Sequence, residues 1–249
     1  MDLTNLDFSA FWEYRVTLLW GLFTTVWMGA AAFVIAVPMG IVLALGRLRS
    51  GWSGWLLRLP IMGFVDIVRF TPLLVQAVWI HFALPALTGY STSATVSGLV
   101  ALTLHVSAYV SEIMRAGILG IPRGQWEAAR ALGLRPRSVF GKVILPQVWP
   151  LVLPPLANVA VATIKLTAIL SILAINDLMK VANRINTFEF RPLEIFTAVA
   201  LVYLMLGLLL TWAASRIERR FGVGGVRMPM APAAPTLAPT IPAGGRHGA

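Results

Sequence analysis

Lys165 is the charged side chain that stands deepest in an uncharged stretch of this sequence, with 22 uncharged residues before it. A charged group in so apolar a run is costly unless it has a binding role or a partner. Its ammonium group could bind the carboxylate of a solute or an acid of a partner protein. It could equally pair with Glu112, or contact a carbonyl group freed by the Pro154-Pro155 sequence. The sequence leaves these alternatives open.

Two further pairs of charges have the spacing of contacts along a helix. Glu112 and Arg115 are three residues apart, as are Asp66 and Arg69. Side chains at this spacing lie on one helical face and can form ion pairs. We expect Glu112 and Arg115 to form a structural pair or a gate contact. We expect Asp66 and Arg69 to anchor the start of a helix.

Uncharged polar side chains also occur within the apolar stretches. Gln76 and Asn158 can join helices through hydrogen bonds, each contributing about 1 kcal/mol or less. For His81 and His105 we favour buried side chains with satisfied hydrogen bonds over a role in proton transfer.

The chain lacks the residue sets that catalysis or metal binding would need. It has no cysteine and three scattered histidines, so we expect neither a thiolate nucleophile nor a metal site. No Gly-x4-Gly-Lys-Ser/Thr segment is present to bind the phosphates of ATP. We find no carboxylate pair or Ser/His/Asp set either, and therefore expect no enzymatic activity in this chain.

The elements that must position these residues are membrane helices, because the composition excludes a water-soluble protein. Of the 249 residues, 58% are hydrophobic and 12% are charged, and the mean hydropathy is +0.80. Soluble domains are about a quarter charged and somewhat under half apolar. The net charge of +10 could suggest nucleic-acid binding, but in so apolar a chain it indicates membrane topology. We expect no nucleic-acid partner.

Uncharged intervals long enough to cross a bilayer predict an all-α membrane protein with five transmembrane helices, since a span needs about 20 mainly apolar residues. The 42 uncharged residues between Arg69 and Glu112 contain helix-breaking residues near their middle, which predicts a hairpin of two spans. The predicted spans are residues 16–46, 66–86, 95–117, 147–175 and 195–215. They form a transmembrane domain of residues 16–221 after an external segment 1–15. Residues 222–249 form a Pro/Ala/Gly-rich cytoplasmic tail whose composition predicts disorder.

The basic residues fall mainly on one side of this five-span arrangement. Fourteen of the 20 Lys and Arg residues lie on one side, in or beside the first loop, the third loop and the stretch after the last span up to Arg227, and four lie on the other side. The positive-inside rule then places the N-terminus outside and the C-terminus in the cytoplasm. The acidic start of the chain and its long first apolar run argue against a cleaved signal peptide.

The predicted cytoplasmic loop, residues 118–145, is long and patterned. Residues 125–132 are a run of strong helix formers, closed by Gly133 at a C-cap position. A second short helix is predicted over residues 137–145, before Pro146 begins span four. We expect two short helices on the cytoplasmic face.

Two interpretations of this loop stay open on pattern alone. It could be a basic linker that rests on anionic lipid, or a helix that inserts into the groove of a protein partner. Glu127 disfavours lipid contact, although it can pair with Arg130 three residues later. Ala128 and Ala129, together with Gly133, keep one face small, which suits a protein groove.

The same loop resembles the EAA loop of bacterial ABC importer permeases. The resemblance rests on Glu127-Ala-Ala-Arg-Ala-Leu-Gly133, followed by Phe140, Ile144 and Leu145-Pro-Gln147. Other motifs are similar to those of the polar amino-acid (histidine, glutamine and glutamate) permease subfamily, and the similarity covers about residues 15–221. They are Thr71-Pro-Leu-Leu-Val-Gln76, Ser107-Ala-Tyr, Glu112, Arg115-Ala-Gly117, Ile121-Pro122, Gly124-Gln125, Leu153-Pro-Pro-Leu156, Asn158, Lys165 and Thr167.

The resemblance implies a type I ABC importer permease in the bacterial plasma (inner) membrane, through which a polar amino acid or similar small zwitterion enters the cytoplasm. It implies three partners: an ABC ATPase dimer that binds ATP and Mg²⁺, a second permease (itself or a paralogue), and an extracytoplasmic solute-binding protein. No cofactor is expected in this chain. The residues implied to couple to the ATPase are Gly124, Glu127, Ala128, Ala129 and Gly133. Those implied to line the substrate pathway are Lys165, Thr167, Gln76 and Asn158.

Three residues depart from the subfamily pattern. Phe70 stands where Gly usually precedes Thr-Pro, Leu166 replaces a polar residue, and Ala168 replaces Ser. The last two lie near the implied pathway, so the solute stays open. The alternative function is a stand-alone secondary transporter of a small polar solute. It predicts internal repeats and acidic residues at mid-bilayer, and we find neither in the sequence.

Overall fold

The fold is a bundle of α-helices in the computed structural model, which describes residues 7, 9–49 and 51–220. Within these residues no β-strand occurs, in agreement with the predicted all-α class. The helices are α1 (Ser9–Glu13), α2 (Arg15–Arg47), α3 (Trp52–Phe70), α4 (Leu73–Val78), α5 (Leu84–Thr88), α6 (Ala94–Leu119), α7 (Arg123–Ala131), α8 (Pro136–Ser138), α9 (Leu145–Leu166), α10 (Leu178–Glu189) and α11 (Pro192–Arg220). π-Helical segments join α4 to α5 (Trp79–Ala83) and α8 to α9 (Val139–Ile144), and a 3₁₀ segment (Thr167–Leu173) follows α9. The predictions for residues 1–6 and 222–249 lie outside the described residues.

Four stretches of the described chain are long and apolar enough to cross a membrane, namely α2, α6, the continuous helix Pro136–Leu173, and α11. A fifth candidate is the pair formed by α3 and the helix Leu73–Thr88, which meet at a bend of 109°. The span predicted over residues 66–86 is therefore bent at residues 71–72, and its first residues, 66–70, belong to α3. The helix breaks because Thr71, which precedes a proline, is extended (φ −101°, ψ 138°).

Glycines bring α2, α6 and α9 into close contact. A Cβ atom added at Gly40 of α2 would lie 2.6 Å from the Cβ atom of Val110 on α6. At Gly117 of α6 it would overlap a methyl group of Val152 on α9. Both contacts are too short for a side chain, so these glycines allow the close helix spacing that is typical of membrane bundles. Buried apolar residues surround these contacts, among them Met28, Leu102, Val106, Val148 and Leu170.

Helices α2 and α6 run in the same direction. Gly98, near the start of α6, faces Met28 in the first half of α2. Arg47, the last residue of α2, donates a hydrogen bond to Glu112 near the end of α6. Both helices therefore end on the side from which α7 extends, which we call the α7 end. The opposite side is the α1 end.

A second, smaller core lies at the α1 end, where α10 packs against α2 and α11. It contains Leu18, Leu178, Val181, Ala182, Ile185, Ile195 and Val199. The Tyr14 hydroxyl donates a hydrogen bond to Glu189 at 2.9 Å, and Arg191 forms an ion pair with Asp7 at 2.7 Å. These contacts attach the first residues of the described chain to the segment between α10 and α11.

Candidate functional site

Helix α7 ends in a defined C-terminal cap at Gly133, which adopts the left-handed backbone region (φ 71°). The N–H of Gly133 donates to the carbonyl of Arg130 at 2.9 Å, and the N–H of Leu134 donates to the carbonyl of Ala129 at 3.4 Å. These two bonds are those of a Schellman motif, which glycine favours. The predicted C-cap is confirmed, and it fixes where the chain turns back towards the bundle.

The two faces of α7 have different surroundings. Ala129 is buried in the same hydrophobic core as Val139, and Trp126 is half-buried and packs against that core. Glu127 and Ala128 are exposed on the outer side. The structure therefore places Ala129, one of the implied coupling residues, against its own chain instead of on the surface that a partner could reach.

The other implied coupling residues, Gly124 and Gly133, are exposed at the two ends of α7. A Cβ atom added at either glycine would meet no other atom of the described chain within 4 Å. The expected ion pair between Glu127 and Arg130 does not form among the described residues. The outer face of α7 is thus open, with a free carboxylate at its centre.

The sequence predicts a second short loop helix that ends before span four begins, and this prediction is wrong. Helix α8 continues through a π-helical segment into α9, and the helix is unbroken from Pro136 to Leu173. In that segment the N–H of Leu145 donates to the carbonyl of Phe140, five residues earlier. The wider turn makes room for the ring of Pro146, which would otherwise interrupt the helix. Span four therefore extends beyond the bundle to the loop that carries α7.

Glu112 is the centre of a cluster of three arginines from three helices, which we call the Glu112 cluster. One of its oxygens accepts a hydrogen bond from Arg47 of α2 at 2.7 Å and lies 3.7 Å from Arg69 of α3. The other oxygen accepts a hydrogen bond from Arg115, one turn later on α6. The predicted Glu112–Arg115 pair is confirmed. The predicted Asp66–Arg69 pair is wrong for the described chain, because Arg69 reaches Glu112 instead.

Gln76 holds the break between α3 and α4 together. Its amide nitrogen donates to the carbonyls of Val68 (2.7 Å) and Thr71 (3.0 Å) and also lies 2.8 Å from the Thr71 hydroxyl. Its amide oxygen lies 3.3 Å from a ring nitrogen of His105 on α6. The bonds satisfy backbone groups that the end of α3 leaves free. The structure thus places Gln76, an implied pathway residue, half-buried as a clamp at this junction.

The remaining implied pathway residues divide into two groups. Lys165 and Asn158 are exposed, and because they are seven residues apart they share one face of α9. Neither forms an ion pair or side-chain hydrogen bond with another described residue, so the pairing of Lys165 with Glu112 is not found. Thr167 is fully buried, and its hydroxyl donates to the carbonyl of Ile164.

A buried carboxyl group that the sequence analysis does not single out lies at the α1 end. Asp177 caps α10, and its Oδ1 atom accepts a hydrogen bond from the N–H of Lys180 at 2.9 Å. Its other oxygen is buried and has no hydrogen-bond partner among the described residues. Burial raises the pKa of Asp177 to about 6. An Asp directly before a helical run is a sequence signal for such a cap.

Comparison with known proteins identifies a family that covers most of the chain. Residues 36–223 match the family described as the binding-protein-dependent transport system inner membrane component. The glutamine transport system permease protein GlnP of Escherichia coli (strain K12) is 32% identical over 220 residues, which are 88% of this chain and 99% of GlnP. The arginine transport system permease protein ArtQ of Bacillus subtilis (strain 168) is 33% identical over 217 residues, which are 87% of this chain and 97% of ArtQ.

The fold agrees with these relatives. A crystal structure of an amino acid ABC transporter with histidines contains a chain that is 33% identical to this one and has a TM-score of 0.80. The match covers 87% of this chain and all of the other. The prediction of an ABC importer permease is thereby confirmed over the alternative of a stand-alone secondary transporter. The chain belongs to the family of inner-membrane permease components of binding-protein-dependent transport systems.

Proposed function

We propose that this chain transports a polar amino acid, or a similar small zwitterion, into the cytoplasm as one half of a permease dimer. The energy comes from ATP hydrolysis by a separate ATPase dimer, which holds ATP and Mg²⁺. The second permease is another copy of this chain or a paralogue, and a solute-binding protein delivers the solute from outside. In this arrangement the α7 end faces the cytoplasm and the α1 end faces outward, as the distribution of basic residues indicates.

The geometry of α7 is the observation that carries this proposal. One face is fixed to the bundle through Ala129, and the opposite face presents Glu127 and Ala128. A short helix with an open, small-residue face suits docking into a groove of a partner protein. We assign Glu127, Ala128, Gly124 and Gly133 to contact with the ATPase. Ala129 holds the helix in place beneath them.

The connections of α7 explain how movement of the ATPase reaches the spans. Only residues 120–122 separate α7 from α6, and α8 continues directly into α9. A displacement of α7 therefore acts on the ends of two central helices at once. Since α6 and α9 pack closely at Gly117 and Val152, the two helices tilt together instead of sliding apart. Tilting of this kind would expose the pathway to each side of the membrane in turn.

The solute class is supported by the exposed face of α9. Lys165 offers a cation and Asn158 an amide on the same face, where the carboxylate and ammonium groups of a zwitterion can each find a partner. The relatives GlnP and ArtQ are named for glutamine and arginine, both of which are amino acids. We place Lys165 and Asn158 on the pathway and assign Gln76 and Thr167 to its structural support.

The direct test is a charge reversal on the outer face of α7. Glu127→Lys is expected to reduce recovery of the co-expressed ATPase with the permease at least tenfold. ATP-dependent uptake in proteoliposomes should fall by the same factor. The matched control is Glu13→Lys, which makes the same change at an exposed glutamate of the α1 end and should leave both measurements unchanged. Normal ATPase recovery and normal uptake in Glu127→Lys would contradict the proposal.

A further inference from the structure

The Glu112 cluster contains more positive charge than its one carboxylate can balance. Arg47, Arg69 and Arg115 converge on Glu112, which leaves an excess of two positive charges. The nearest acid along α3, Asp66, forms no ion pair with a described arginine. Charges that are partly removed from water are costly unless they are paired. An unbalanced cluster of this kind favours an additional anion.

The hydrogen-bond donors of the cluster are also incompletely used. An arginine side chain has five N–H donors, and the two oxygens of Glu112 cannot satisfy three such groups. The Nε atoms of Arg69 and Arg115 are buried and have no hydrogen-bond partner in the described chain. Both side chains nevertheless remain 31% exposed, so a ligand can approach their outer nitrogens. The guanidinium of Arg69 lies 5.8 Å from the centre of the Tyr109 ring, which limits its orientation.

The depth of the cluster corresponds to the surface of the bilayer. Helix α2 has 33 residues, and a helix of that length is about 50 Å long. The hydrocarbon core is about 30 Å thick, so the ends of α2 reach the headgroup region. Arg47 is the last residue of α2, and Arg115 lies about one turn before the end of α6. Phe70, which follows Arg69 directly, is 81% exposed and offers apolar surface beside the cluster.

We propose that the Glu112 cluster binds the phosphate group of an anionic phospholipid. A phosphodiester supplies one negative charge and several acceptor oxygens, and arginine binds such groups with paired hydrogen bonds. Basic pockets between membrane helices on the cytoplasmic side are suited to anionic headgroups. The acyl chains lie along the apolar surface that begins at Phe70. The lipid thereby links α2, α3 and α6 at the α7 end, next to the connection to α7.

The test compares two lipids that differ in net charge. The full-length chain, purified in detergent, is titrated with short-chain phosphatidylglycerol or with phosphatidylcholine of the same chain length. Binding is counted by native mass spectrometry. We expect at least fivefold tighter binding of phosphatidylglycerol. Arg69→Gln should weaken that binding at least threefold without changing phosphatidylcholine binding. The control Arg58→Gln removes the same charge from an exposed position on α3 and should change neither.

Several outcomes would overturn the proposal. Equal binding of the two lipids would do so, as would equal losses in Arg69→Gln and Arg58→Gln. Inorganic phosphate that displaces phosphatidylglycerol at millimolar concentration would assign the site to free oxyanions. If the isolated chain prefers phosphatidylglycerol but its complex with the ATPase does not, the Glu112 cluster would be assigned to an acidic side chain of that partner. If Arg69→Gln does not fold, the wild-type chain still tests the proposal. Its preference for phosphatidylglycerol should be several-fold smaller in 500 mM salt than in 50 mM salt.

Discussion

The buried carboxyl group of Asp177 is expected to make the folded chain less stable as the pH rises. The side chain is fully buried. Burial raises its pKa from 3.8 to about 6, against the opposite effect of backbone hydrogen bonds at the start of α10. In the unfolded chain the same carboxyl ionises at its ordinary pKa. The folded and unfolded states therefore bind different numbers of protons between these two values.

The sign and size of the effect follow from this difference. Below pH 3.8 the carboxyl is protonated in both states, so it makes no difference to stability. Between pH 3.8 and about 6 the unfolded state ionises first, and the folded state becomes relatively less favourable as the pH rises. Above pH 6 both states are ionised and the loss is complete. A shift of about two pKa units corresponds to about 3 kcal/mol.

Asp177→Asn removes the charge but keeps an oxygen that can cap α10, since Asn is as good an N-cap as Asp. The variant should unfold several degrees higher than wild type at pH 8, and the difference should shrink steadily towards pH 4. Thermal unfolding of the detergent-solubilised chain over a pH series measures this. Asp177→Ala, which also loses the cap, should be less stable than Asp177→Asn by about 1 kcal/mol.

Glu13→Gln is the control, because it removes a charge from an exposed glutamate at the same end of the bundle. It should leave the unfolding temperature unchanged at every pH. A difference between Asp177→Asn and wild type that is the same at pH 4 and pH 8 would refute the argument from burial. So would a variant that unfolds below wild type at pH 8.

Two further substitutions test the backbone geometry around the site. Gly133→Ala should destabilise the cap of α7 by about 1 kcal/mol, because a left-handed backbone is unfavourable for residues with a Cβ atom. The extra methyl group meets no described atom within 4 Å, so Gly133→Ala should be expressed normally but show reduced uptake. Gly133→Asn should restore part of the uptake, because asparagine adopts the left-handed region more readily than alanine. Gln76→Leu removes the side-chain hydrogen bonds at the α3–α4 break and should cost about 2 kcal/mol. A lower unfolding temperature checks this, with the exposed Asn158→Leu as the unaffected control.

The features of the fold that depend on local composition are predicted well from the sequence. Helices α2, α6 and α11 contain the predicted spans 16–46, 95–117 and 195–215. The reason is that a charge inside a bilayer is costly, so uncharged intervals mark where helices can cross. The cap of α7 is equally local, because a glycine after a run of helix formers is enough to define it.

The contacts of the Glu112 cluster could not be predicted in the same way. Spacing along one helix identifies Arg115 correctly but assigns Arg69 to Asp66. Arg47 lies 65 residues from Glu112, and only the parallel packing of α2 and α6 brings the two together. A carboxylate placed where three helices meet attracts arginines from all of them. Local spacing therefore shows which ion pairs can form, and packing decides which of them do.

The implied pathway residues of span four also show what local spacing does not predict. Lys165 and Thr167 are two residues apart, which turns their side chains about 200° from each other on a helix of 3.6 residues per turn. Lys165 is accordingly exposed while Thr167 is buried and bonded to its own backbone. Asn158, seven residues before Lys165, shares its face. A solute that reaches Lys165 can therefore reach Asn158 but not the hydroxyl of Thr167, although the resemblance implies a pathway role for all three.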